Sequence, residues 1–187
     1  MPTVRDWQQS REMWIRSLER QTSEDLDTWN RRIRNEPLEA ANELRAWLTD
    51  RGVTGYARML LVMERFGYPD SYSQPPTKLI ERQYADRARL RPVYDAVINA
   101  ASQCGKILIH ARKTYVSLVT PRRTFARVQP RSAHVILGFR LQNLEPSGRL
   151  QLSRLHHTMH LQVVLATRDE VDAEVQGWLA RAYLENS

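Results

Sequence analysis

Arg112, Lys113, Arg122, Arg123, Arg127 and Arg140 are interleaved with two aromatic residues, Tyr115 and Phe125. Across the wider segment from Lys106 to His160, ten cations stand against a single acid, Glu145. Guanidinium and ammonium groups at this density hold phosphates or carboxylates, and rings set among them stack on bases or on a flat ligand. Read structurally, the same residues form a solvated sheet face with Tyr115 and Phe125 turned into the core. The excess of cations over acids favours binding of something anionic.

Catalytic groups are sparse by comparison. His156, His157 and His160 form an HHxxH cluster, but they fall in a segment that reads as loop into strand, where 157 and 160 face opposite sides, and no nearby carboxylate or thiol completes a metal site. Cys104 and His110 have the chemistry of a nucleophile and base, yet a small apolar residue at a helix end accounts for the cysteine more simply. Glu145 alone cannot supply the clustered carboxylates of a metal-dependent nuclease, and the seven glycines are scattered rather than gathered in a phosphate-binding loop. No metal and no cofactor is implied.

Charge is unevenly distributed. Residues 1–75 hold 11 Arg against 12 Asp and Glu, and residues 76–187 hold 17 Lys and Arg against 9 acids, so the positive field belongs to the second part. Such a field attracts polyanions or acidic surfaces. One cysteine excludes an internal disulfide framework. With no long apolar run and no signal-peptide pattern, the expected location is the cytoplasm, with no membrane partner.

The elements that must position these residues follow from periodicity. From Lys106 to Leu141, β-branched and aromatic residues alternate between turn signals, as expected of a meander of four short antiparallel strands. Residues 158–166 add a fifth. Val116, Leu118, Val135, Leu137, Phe139, Leu161 and Val163 make an aliphatic face. The other face gathers Tyr115, Ser117, Phe125, Arg127, Gln129, Arg140 and His160. Helices are expected over 5–20, from Thr22, from Pro37 at a first turn, after Thr54, as a short turn over 79–84, from Arg91, and over 168–184. Gly52-Val53-Thr54-Gly55 reads as a simple helix connection, with a DNA-backbone-binding helical hairpin as the sharper alternative. The fold class is α+β: an N-terminal helical bundle (1–67), a linker (68–77) rich in proline, and an α+β domain (78–187). Its antiparallel sheet of about five strands is covered by helices mainly on one face.

The segments QYADRARLR (83–91), ARKTYVSLVTPRRTFARVQP (111–130) and EVDAEVQGWLARAY (170–183), with LRAWLTDRGVTGYARMLLVMERFGYP (44–69), resemble an uncharacterised bacterial two-part family. That family joins a short N-terminal helical domain of unknown function to a C-terminal α+β domain of unknown function. The resemblance implies a C-terminal domain of a kind also found appended to restriction-type nucleases, sometimes labelled a predicted transport protein, and distantly similar to small α+β domains suspected of binding DNA.

These readings converge on a non-enzymatic module that binds nucleic acid or another polyanion through Arg112, Lys113, Tyr115, Arg122, Arg123, Arg127 and Arg140. Two alternatives stay open. One is a small-molecule or enzymatic pocket between helical domain and sheet, lined by Tyr115, Phe125, Arg127, Arg140 and His160. The other is a scaffold for an acidic protein partner.

Overall fold

Apolar residues recurring every third or fourth position build the helical part of the chain. The computed structural model describes residues 3–4, 7–69, 72 and 74–187. Arg5 and Asp6 of the expected first helix, and Asp70, Ser71 and Ser73 of the expected linker, lie outside the described residues. Two compact units form: Asp6–Pro75, and Met1–Arg5 together with Pro76–Ser187.

In the first unit, helix α1 (Trp7–Thr22) buries Trp14 and Leu18. Helix α2 (Leu26–Arg34) starts where the Asp25 carboxylate accepts the Thr28 amide at 2.8 Å, and it buries Leu26, Trp29 and Ile33. The next helix, α3 (Ala41–Asp50), begins later than the proline signal suggests. Pro37 stays outside it, and the start is set by Glu43, whose carboxylate accepts the amides of Glu39 and Ala40. Helix α4 (Gly55–Phe66) follows. In the turn between them, Gly52 and Gly55 adopt positive φ. The amides of Gly52, Val53 and Thr54 donate to Thr49 O, Leu48 O and Gln21 Oε1. These amides are consumed within the fold, which is the behaviour of a helix connection rather than of a backbone-phosphate clamp.

In the second unit, alternation produces six antiparallel strands, one more than expected. They are β2 (Leu108–Ala111), β3 (Val116–Val119), β4 (Thr124–Pro130), β5 (Val135–Phe139), β6 (Gln151–His156) and β7 (Met159–Leu165). A two-residue β1 (Thr3–Val4) pairs in parallel with β2, giving the order β1-β2-β3-β4-β5-β7-β6. Sequence reasoning passes over β1 and β6, the latter an exposed edge strand without an apolar alternation. Register brings Val116, Val128, Leu137 and Val163 into one row, and Leu118, Ala126, Phe139 and Leu161 into the next. All eight are buried in one cluster.

Helices α5 (Pro76–Tyr84), α6 (Arg91–Gln103) and α7 (Ala173–Asn186) belong to this unit. Val97 of α6 and Val175 of α7 are buried in the same cluster, and Trp178 packs against it. The aliphatic sheet face is therefore covered by helices, which is how a sheet with one apolar face is removed from water. No described helix is long and apolar enough to cross a membrane.

Asp172 is the N-cap of α7 rather than part of its first turn. Its carboxylate accepts the Val175 amide at 3.1 Å and a guanidinium N–H of Arg149 at 2.6 Å. These bonds, the Val175 amide foremost, hold it below the usual value of 3.8. A carboxylate depressed by folding contributes stability that is present above its unfolded pKa and lost as pH falls through the folded value. Asp172→Asn keeps a capping oxygen but no charge. The expected result is a melting temperature that declines less steeply below about pH 4 than that of the unaltered protein, measured by thermal unfolding across an acid series.

Candidate functional site

The antiparallel meander sorts the basic residues to the two ends of the sheet. The β2–β3 and β4–β5 loops lie at one end, carrying Arg112, Lys113 and Arg131. The β3–β4 turn lies at the other, carrying Arg122 and Arg123, with Arg140 just beyond β5. Strand β4 separates them by about 20 Å at ~3.3 Å per residue, more than two screening lengths of about 8 Å in physiological salt. The two groups therefore act as separate electrostatic sites, whereas the linear sequence presents them as one.

At the second end, Thr120 organises the turn. Its buried hydroxyl accepts the amides of Arg122 and Arg123 and donates to the Asn186 carbonyl at 2.6 Å. Arg123 then donates to the Glu185 carbonyl at 3.1 Å. Burial, reinforced by the neighbouring Arg140 and Arg122 charges, pushes the Arg123 guanidinium down from its ordinary value. The Nε atoms of Arg123 and Arg140 are buried with no hydrogen-bond partner, while Arg122 is exposed.

On the open face, the Arg127 guanidinium lies over the Tyr115 ring, its carbon 3.5 Å from the ring centroid. Ser117, Arg127, Gly138 and Gln162 share a row by register. A Cβ on Gly138 would stand 2.7 Å from Leu155 Cδ1, so glycine here lets β6 close over the row. The Leu155 carbonyl sits 3.5 Å from a terminal Arg127 nitrogen, and Arg127 Nε has no partner. Burial lowers the Arg127 pKa, the Tyr115 ring opposes this, and Arg131 adds to it.

Phe125 is not on this face. A register shift between Leu118 and Val119 places an extra residue in β4, so the alternation slips by one and Phe125 enters the core. It is fully buried there, edge-on to Tyr183 at 5.6 Å. A period-2 reading cannot detect such a bulge. His160 is exposed on β7, and the His156 and His157 rings lie 4.0 Å apart in the exposed β6–β7 hairpin. No group of three His, Cys, Asp or Glu among the described residues is placed to hold a metal. Cys104 donates to the Ala100 carbonyl at 3.5 Å, and burial pushes its thiol up, the direction opposite to an activated nucleophile.

At the first end there is an open cleft of about 590 Å³ whose lining includes Arg82, Gln83, Arg87, Lys113, Gln129 and Arg131. Of these, Lys113, Gln129 and Arg131 belong to the basic, polar sheet segment already marked in the sequence, and Arg82, Gln83 and Arg87 do not. The missed signal is the arginine spacing of Arg82 and Arg87 on and after α5, some thirty positions ahead of the loop they meet. Gln83 is buried and donates from Nε2 to the carbonyls of Arg112 at 2.6 Å and Tyr115 at 3.2 Å. It thereby fastens α5 to the loop that carries Lys113. Arg112 is half-buried, and its amide donates to the Tyr115 carbonyl at 2.8 Å to close that loop. Arg87 pairs with Asp86 at 2.7 Å.

No curated protein and no solved structure matches the chain. A family model does match, over residues 80–186, and it spans α6, α7 and the whole meander. The chain belongs to the family of the domain of unknown function DUF5655.

Proposed function

We propose that the α+β unit is a non-enzymatic, cytoplasmic anion-binding module, with nucleic acid as its first ligand class. The observation that carries this reading is the pairing state of its cations. Of the ten between Lys106 and His160, Arg149 alone has a carboxylate partner among the described residues, meeting Asp172 and Glu174 at 2.6 and 2.9 Å. Half-buried cations without counter-charges are costly in a free protein and become favourable when an anion arrives. The aromatic–arginine stack of Tyr115 and Arg127 supports bases as part of that anion, and the resemblance to a domain appended to nucleases favours nucleic acid over other polyanions.

Binding of this kind releases condensed counterions, so affinity falls steeply as salt rises. Fluorescence anisotropy with labelled single- and double-stranded oligonucleotides across a salt series tests it. Changing Arg122 and Arg123 together to alanine is expected to weaken all sequences about equally and to lower the salt slope by about two units. The absence of any binding at micromolar protein in low salt would defeat the proposal.

A further inference from the structure

We propose that the β6–β7 hairpin is an acid-released flap over the Tyr115–Arg127 stack, latched by the His156 imidazole. Its effect on binding rests on the anion-binding reading above; the latch itself does not. The hairpin reaches across the open face because β5 has no side chain at Gly138. A Cβ there would stand 2.7 Å from Leu155 Cδ1 and 3.4 Å from Met159 Cβ. The Arg127 guanidinium meets the Tyr115 ring, 3.5 Å from its centroid, and the Leu155 carbonyl, 3.5 Å from a terminal nitrogen. An anion that takes Arg127 therefore competes with the hairpin for the same guanidinium.

The turn that closes the hairpin depends on a neutral ring. The Thr158 amide, which can only donate, stands 3.3 Å from His156 Nδ1, and the Thr158 hydroxyl stands 2.9 Å from the same atom. That nitrogen is an acceptor and carries no proton. A proton there sets two N–H groups against each other and breaks the bond that closes the turn. The added charge also meets no acid. The His157 ring lies 4.0 Å away, Arg127 acts on His156 from β4 with Tyr115 against it, and residues 124–130 and 151–165 contain no Asp or Glu. Arg154 and His160 are the other titratable groups of the hairpin, and His110 stands beyond Ser117 at the far end of the Arg127 row. Burial, then the His157 and Arg127 charges, holds His156 below its usual value of 6.5. A histidine whose value is lowered in the closed form favours that form above its free value, and the preference is lost as pH falls through the lowered value. Acid thus lifts the flap from Arg127, and an anion bound beside His156 favours the proton in return.

Latch and binding are read separately on the full chain. Without ligand, amide hydrogen exchange over residues 151–165 is followed as protection factors from about pH 7.5 to about pH 5.5. Protection is expected to fall by about threefold or more toward acid in the parent protein. It should stay level in His156→Asn, whose Oδ1 accepts the same amide and takes up no proton. Anisotropy with one labelled single-stranded oligonucleotide at fixed salt should show affinity rising about fivefold over the same range in the parent, and about twofold or less in His156→Asn. His157→Asn, which removes a neighbouring charge but not the latch bond, should keep most of the rise. Thermal melts of both variants confirm folding; His156 and His157 are exposed. Protection that ignores acid, or that falls equally in His156→Asn, would overturn the latch. An acid gain in affinity that His156→Asn retains in full, or that His157→Asn removes as completely, also overturns it and leaves the broader reading standing. Acid-sensitive protection that disappears in His156→Asn, with no oligonucleotide binding at any pH, supports the latch and defeats the nucleic-acid reading.

Discussion

Truncating Leu137 to alanine is expected to lower the free energy of unfolding by about 2–5 kcal/mol. Leu137 is fully buried on β5, paired across the sheet with Val128 and Val163. Its side chain belongs to the cluster that also contains Val97 and Val175 from the covering helices. Strands on both sides and helices above hold the cavity open, so relaxation recovers little of the lost contact. The adjacent Ile136 points to the other face and is half-exposed, so Ile136→Ala serves as the smaller-effect control. Equilibrium denaturation of both variants decides the assignment. A Leu137→Ala loss under about half a kcal/mol would mean that the aliphatic and basic faces are exchanged.

Arg127→Met is expected to bind nucleic acid about tenfold more weakly while unfolding no more easily than the parent protein. The guanidinium gains a cation–π contact with Tyr115, worth ~0.5–2 kcal/mol. Against that stand an unpartnered buried Nε and a long contact to the Leu155 carbonyl. Desolvation of an unpaired ion costs several kcal/mol, and a methionine keeps most of the aliphatic stem in place. On the proposed reading the residue serves a ligand rather than the fold. Chemical denaturation read beside anisotropy checks both halves. If the variant is destabilised by more than about 1 kcal/mol and binds as before, Arg127 is a packing residue.

Most of the α+β architecture is legible in the sequence because its signals are local. Val116, Leu118, Leu137, Phe139, Leu161 and Val163 alternate as a one-sided sheet must, and the stripe of Val93, Val97 and Ala101 marks α6. What escapes is non-local or polar. The bulge that buries Phe125 depends on the register between β3 and β4, which no single strand encodes. Strand β6 presents Gln151, Ser153 and Arg154 to water and is recognised only through its pairing with β7. The cleft depends on neutral glutamines, which look ordinary in a sequence. Gln83 becomes unusual only once burial and a fastened Nε2 leave its oxygen alone. The basic cluster was visible, but its division into two ends required the strand directions.

The two-residue β1 gives the chain an unusual order of assembly. Thr3 pairs with Leu108, and the whole helical unit, Asp6–Pro75, is threaded between those partners. The meander and the helices are built from contacts close in sequence and can form quickly and independently. Of the strand pairings among the described residues, the β1–β2 ladder closes the longest loop, and the entropy of that closure is recovered by only two residue pairs. It is therefore the last pairing to form and the first to open. A fragment starting at Pro76 lacks β1 and is expected to display β2 as a bare edge. Such an edge is a template for another strand, and in the full chain Thr3 and Val4 occupy it.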